Sequence, residues 1–92
     1  MQVTCELYGP LREAAGGKSH DREVDADATV GDVFKSLADE SPELEQLLFD
    51  DDGFSESVTV MQNGRNVVFE DGPETPVADG DVLAASPPAE GG

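Results

Sequence analysis

Residues 2–8 alternate. Val3, Cys5 and Leu7 fall on one face and Gln2, Thr4, Glu6 and Tyr8 on the other, the two-residue period of a half-buried strand. Gly9-Pro10 breaks that strand, and Leu11-Arg12-Glu13-Ala14-Ala15 suits a single helical turn before Gly16-Gly17 interrupts the chain again. Residues 19–25 read as a second strand. Their apolar content is only Val24, so this assignment rests on the need of the first strand for a neighbour along its edge. The period then changes. Val30, Val33, Phe34, Leu37 and Ala38 recur at helical spacing and form one apolar stripe, with Asp32, Lys35, Ser36, Asp39 and Glu40 mostly opposite. Thr29 reads as the N-cap, with Asp32 three residues on in the capping-box position. Ser41-Pro42 ends the helix, because the residue before proline avoids the helical region.

Residues 42–49 suit a second short helix with Pro42 at its first position and Leu44, Leu47 and Leu48 inward. Asp50-Asp51-Asp52-Gly53 reads as a loop. Residues 58–61 form a β-branched strand with Val58 and Val60 on one face, Asn63-Gly64 makes a tight reversal, and residues 65–69 are the returning strand. Residues 70–76 are turn-rich. Asp79-Gly80 leads into a last strand over residues 82–85, after which Ser86, Pro87 and Pro88 leave the domain. The order strand, strand, helix, strand, strand, strand predicts an α+β domain whose helix crosses one face of a single sheet. The expected organisation is one domain over residues 1–86 and a tail over residues 87–92.

Composition narrows the class. Ninety-two residues allow one small core. Twenty-one acidic residues against five basic ones give a formal charge of −16, which repels phosphate backbones, so nucleic acid is not expected as a partner. Because the charges are interleaved with periodic apolar segments, they read as the acidic skin of a folded domain and not as disorder. Such a skin suits a cytosol of very high salt, where the Debye length falls to about 3 Å and self-repulsion is screened. There is no apolar run long enough to span a bilayer, and the first residues lack the basic-then-hydrophobic pattern of a secretory leader, so neither membrane insertion nor secretion is expected and a cytoplasmic setting is. A single cysteine, Cys5, can make neither an internal disulfide nor, alone, a structural metal site.

The chemistry lies at the last stretch, Pro87-Pro88-Ala89-Glu90-Gly91-Gly92. Two residues without a Cβ let an extended tail enter a channel too narrow for side chains, and bring its carboxylate close to a nucleotide phosphate. Pro87 and Pro88 stiffen the exit from the domain. Lys18 and Lys35 are the only lysines, hence the only candidate side chains on which a second copy could be built.

Other constellations favour plain readings. Gly17-Lys18-Ser19 resembles the close of a phosphate loop, but Arg12 stands where that motif needs glycine, and a strand is expected to follow where it needs a helix. Cys5 shares the inward face with Val3 and Leu7 and reads as core. His20 reads as an exposed strand residue, and Asp50-Asp51-Asp52-Gly53 with Glu56 lacks calcium-loop spacing. No catalytic dyad, triad or metal cluster is visible.

Several runs resemble the small subunit of molybdopterin synthase and related sulfur carriers. They are residues 8–17 (Tyr-Gly-Pro-Leu-Arg-Glu-Ala-Ala-Gly-Gly), Ala28-Thr29-Val30-Gly31-Asp32-Val33, Asn63-Gly64, Asp79-Gly80-Asp81-Val82, and Pro87-Pro88 ahead of Gly91-Gly92. With the acidity, the chain looks like the small ubiquitin-like modifiers of salt-loving archaea, which belong to the same family. This resemblance implies a β-grasp (ubiquitin-like) fold, with a mixed four- to five-stranded sheet, one main helix on one face and an extended C-terminal tail. It implies a group carrier and not an enzyme. A ubiquitin-activating-type enzyme would use ATP to adenylate the Gly92 carboxylate, with Gly91 giving access, and no cofactor would be held permanently. The adenylate would then acylate lysines of target proteins. The alternative is a Gly92 thiocarboxylate serving molybdopterin synthesis, through the molybdopterin synthase large subunit, or tRNA thiolation. A metal-dependent isopeptidase would remove the modifier, and with Gly92 already terminal no processing protease would be needed. Two departures stand out: Ser86 occupies a position often held by phenylalanine in the sulfur carriers, and Glu90 adds charge beside the glycines. A third reading, of another class, is an acidic binding module with an idle tail. Phe54, Phe69 and Leu83 are candidates for a docking face.

Overall fold

The computed structural model describes residues 1–51 and 53–87. The alternating stretch at the start is strand β1 (Gln2–Leu7), followed by the short helix α1 (Pro10–Ala15) and strand β2 (Ser19–Glu23). Helix α2 (Val30–Ala38) and helix α3 (Pro42–Leu48) come next, then the two-residue strands β3 (Phe49–Asp50) and β4 (Gly53–Phe54). Strands β5 (Thr59–Gln62), β6 (Arg65–Asn66) and β7 (Val82–Ser86) complete the set. The main sheet has five strands in the order β2-β1-β7-β5-β6. The first and last strands run parallel at its centre, with Thr4 opposite Val82 and Leu7 opposite Ala85, and the other neighbours are antiparallel.

The core lies between this sheet and α2. Val3, Cys5, Leu7, Val60, Leu83 and Ala85 are buried on one sheet face, and all five residues of the α2 stripe are buried against them. The capping box forms in full: Thr29 Oγ1 accepts the Asp32 N–H, and Asp32 accepts the Thr29 N–H. Helix α2 is also held at its start by the segment that precedes β7. The Val30 N–H donates to the Thr75 carbonyl at 2.8 Å, and the Val77 N–H donates to Ala28. Gly31 is required by that contact, since a Cβ there would stand 2.8 Å from the Pro73 carbonyl oxygen.

Several expected boundaries shift. The second strand is assigned only to Glu23, although Val24 continues the register: its N–H donates to the Met1 carbonyl and its carbonyl accepts from the Met1 amino group. The returning strand expected over 65–69 pairs only at Arg65 and Asn66, because the Asn66 side chain accepts the Val68 N–H and winds Val67–Phe69 into a 3-10 turn. The expected loop over 50–53 contains a miniature hairpin, with Phe49 opposite Phe54. Their rings stack at 5.2 Å, and Phe54 meets the buried Phe34 edge-on at 5.9 Å. Ser86 does not leave the domain but pairs with Thr59 in β7. Val58 precedes β5 and is half-buried, as is Leu47 beside the buried Leu44 and Leu48.

Candidate functional site: the root of the tail

The chain leaves the sheet along β7, and two contacts aim that exit. The Tyr8 N–H donates to the Ala85 carbonyl at 3.1 Å. Beyond it, Pro87 lies over Gly9, where an added Cβ would come within 3.0 Å of the Pro87 ring. Gly9 has φ +60°, a conformation that disfavours any side chain, so this glycine is needed both for its backbone and for the room it leaves. Pro87 also borders a cavity of 160 Å³ whose walls include Pro10, Leu11, Leu47 and Val58. Gly91 and Gly92, like Pro88, Ala89 and Glu90, lie outside the described residues.

The two lysines sit in different settings, and both are exposed. Lys18 belongs to the Gly9 side of the sheet: its carbonyl accepts the Leu7 N–H, and its ammonium stands over the Tyr8 ring, 5.2 Å from the centroid. Tyr8 donates its hydroxyl to Glu6 at 3.0 Å, and that hydrogen bond is the main reason its phenol titrates above the ordinary value. Lys35 is on the outer side of α2, beside a depression lined also by Glu45, Asp50 and Asp51. Neither lysine meets the other around a common pocket.

The remaining singled-out groups have structural partners. Cys5 is fully buried, and burial pushes its thiol up to about 12, with Arg22 opposing and Asp21 adding to the rise. A thiol so placed is chemically quiet. His20 is half-buried, not exposed, with Nε2 3.0 Å from the Gly17 carbonyl. Strand β2 begins at Ser19, directly after Gly17-Lys18, so a strand stands where a phosphate loop requires a helix. Among the docking candidates Leu83 is buried in the core, Phe54 is half-buried against Phe34, and Phe69 is 82% exposed. Burial of Leu83 follows from its inward position in β7, opposite Gln62 and beside Cys5.

Two arrangements were not legible as sites in the sequence. Arg22 reaches from β2 to Glu40 beyond the end of α2 with paired hydrogen bonds of 2.7 and 2.8 Å. Asp81 accepts from Gln62 Nε2, Asn63 Nδ2 and the Ala78 N–H, and so ties the Asn63-Gly64 reversal to the turn before β7. Burial alone would raise the Asp81 carboxyl, but the hydrogen bonds from Asn63, Ala78 and Gln62 outweigh it and hold the group below the ordinary carboxylate range.

A five-stranded mixed sheet with its first and last strands parallel at the centre, grasping one main helix and releasing the chain beside the first turn, defines a protein of the ubiquitin-like β-grasp class. Residues 5–92 match the ThiS family, and the chain belongs to that family. It is 41% identical over 92 residues to Small archaeal modifier protein 3 of Haloferax volcanii, a match covering the whole of both chains. The crystal structure of SAMP1 from Haloferax volcanii superposes with a TM-score of 0.84 at 35% identity, again over 100% of both chains. A chain of the Amycolatopsis orientalis BexX/CysO complex matches with a TM-score of 0.78 at 30% identity, covering 98% of this chain and 99% of that one. Among the described residues, no helix is long and apolar enough to cross a membrane.

Proposed function

We propose that the chain is a ubiquitin-like protein modifier joined through the Gly92 carboxylate to lysine amines of other proteins. The observation that carries this reading is the full-length similarity to a named modifier protein, in a chain whose own sequence closes on Gly91-Gly92. A carboxylate does not acylate an amine until one of its oxygens becomes a good leaving group. A ubiquitin-activating-type enzyme would supply ATP, the Gly92 oxygen would attack the α-phosphorus, and pyrophosphate would depart. A neutral lysine amine would then attack the carbonyl carbon and expel AMP. The chain itself contributes the reactive end, the narrow approach at Gly91 and an exit fixed by Gly9 and Pro87, and performs no catalytic step. ATP belongs to the activating enzyme, so no resident cofactor is required, and the proposed setting is the cytoplasm.

The second reading is a sulfur carrier with a Gly92 thiocarboxylate, serving molybdopterin synthesis through the molybdopterin synthase large subunit, or tRNA thiolation. The ThiS family match and the likeness to a chain of the BexX/CysO complex favour keeping it beside the first. Both start from one adenylate. In the modifier reading a metal-dependent isopeptidase would reverse the conjugation, and Lys18 and Lys35 are the candidate acceptors for a second copy. Deleting Gly91 and Gly92 separates both readings from an acidic binding module with an idle tail. We expect every covalent conjugate to vanish and the fold to persist; unchanged conjugates and phenotype would defeat both carrier readings.

A further inference from the structure

The 3-10 turn Val67–Phe69 presents two adjacent apolar side chains to water, Val68 at 69% and Phe69 at 82% exposure. They are not loosely held. Val67 is buried beneath them, Asn66 Oδ1 accepts the Val68 N–H at 3.0 Å, and the Glu70 N–H returns to the Val67 carbonyl. Beside the turn lies a groove of 350 Å³ whose walls include Phe54, Val58, Val60, Val67 and Pro73. Strand β6 covers β5 only at Met61 and Gln62, so among the described residues Thr59 and Val60 have no strand alongside on the groove side. A preformed apolar groove along a half-uncovered strand suits an extended chain, which can add main-chain hydrogen bonds to side-chain burial.

Charge selects the occupant. Glu56 lines the groove, and Glu70, Asp71 and Glu74 are close sequence neighbours of its lining residues Gly72 and Pro73; Glu56, Glu70 and Asp71 are exposed and Glu74 is too. Arg65 is paired with Glu70 at 3.8 Å. A second copy or an anionic lipid surface would press like charges into close contact with these carboxylates, a short-range repulsion that survives when long-range fields are screened. We infer that the groove between the first half of β5 and the Val67–Phe69 turn docks an extended segment of a partner protein that is apolar at its centre and carries lysine or arginine on its flanks. This goes beyond the chemistry of the tail and does not depend on it.

The test uses the full isotope-labelled chain in about 1 M potassium chloride, where close pairs persist although long-range fields are screened. The probe is a synthetic peptide, Lys-Lys-Val-Thr-Val-Val-Lys-Lys, compared with the same peptide carrying glutamate in place of each lysine. Saturable amide shifts at Thr59, Val60, Val68 and Phe69 are expected with the lysine peptide only. Phe69→Ala, and Val68→Ser with Phe69→Ala, should weaken binding about tenfold while leaving the spectrum of the remaining fold intact, since both side chains are exposed. Equal binding of both peptides, shifts confined to the β2 edge, or no saturable binding would overturn the proposal. So would a concentration-dependent dimer of the free chain that perturbs the same amides.

Discussion

Asp81 joins two turns that are far apart in sequence, and the consequence can be measured by pH. Its folded-state carboxyl lies below the ordinary range, so the stability it contributes is fully present above the unfolded-state value near 4. It is lost as pH falls through the lower folded-state value. Asp81→Asn puts an amide N–H₂ against groups that already donate, and should cost about 1.5–3 kcal/mol in urea unfolding at neutral pH. The difference between the two proteins should shrink as pH is lowered below about 4; a constant difference would refute the ionic part of the account. Cys5 gives a second residue-level prediction: native protein should resist thiol reagents at neutral pH and react fully in denaturant, because the thiol is both buried and displaced to about 12. Its burial was legible from alternation with Val3 and Leu7. The role of Asp81 was not, because nothing in a linear pattern says that the Asn63 reversal will meet the Asp79 turn.

Helix α2 was the most legible element, since its stripe and cap depend only on neighbours three and four residues away. Its glycine was legible only as part of a family-like run; the reason for Gly31 appears when Pro73 is seen against it. Gly31→Ala improves helix propensity yet forces a backbone contact at 2.8 Å, so we expect a net loss of about 1–3 kcal/mol in thermal or urea unfolding. The returning strand was misread because Val67, Val68 and Phe69 have strand composition, while the Asn66 side chain decides the local path. Four consecutive loop-forming residues likewise concealed the hairpin that Phe49 and Phe54 close. Phe54→Ala removes its stacked and edge-on partners together and should destabilise by about 2–4 kcal/mol, with the largest backbone amide shifts at Phe49 and Phe34.

At the scale of the whole molecule, the single mixed sheet with its helical crossover was legible, and its five strands fall within the four to five expected; the strand order and the central parallel pair were read only from the structure. The charge adds a condition of solvent. With −16 on 92 residues and only five basic residues, two of them engaged in Arg22–Glu40 and Arg65–Glu70, self-repulsion is relieved mainly by counterions. Circular dichroism should report loss of structure on dialysis from molar to millimolar salt; an unchanged spectrum would contradict that. The chemistry proposed for the tail is an expectation from residue types alone, since Gly91 and Gly92 lie outside the described residues; the exit at its root, set by Gly9, Tyr8 and Pro87, was not legible because it depends on three segments meeting.

The central claim is that the Gly92 carboxyl acylates lysines of other proteins. Trypsin serves poorly here, since Arg65 is the last basic residue and a long remnant would stay on each target, whereas cleavage after Glu90 leaves Gly91-Gly92 alone. Conjugates recovered from the native host should therefore be digested with a glutamate-specific protease and sequenced by mass spectrometry, alongside the intact mass of the free protein. We predict lysines of other proteins carrying a Gly-Gly remnant that is absent when Gly91 and Gly92 are deleted. A free protein in which oxygen is exchanged for sulfur, with no Gly-Gly on any lysine, would contradict the modifier account and leave the sulfur carrier in its place.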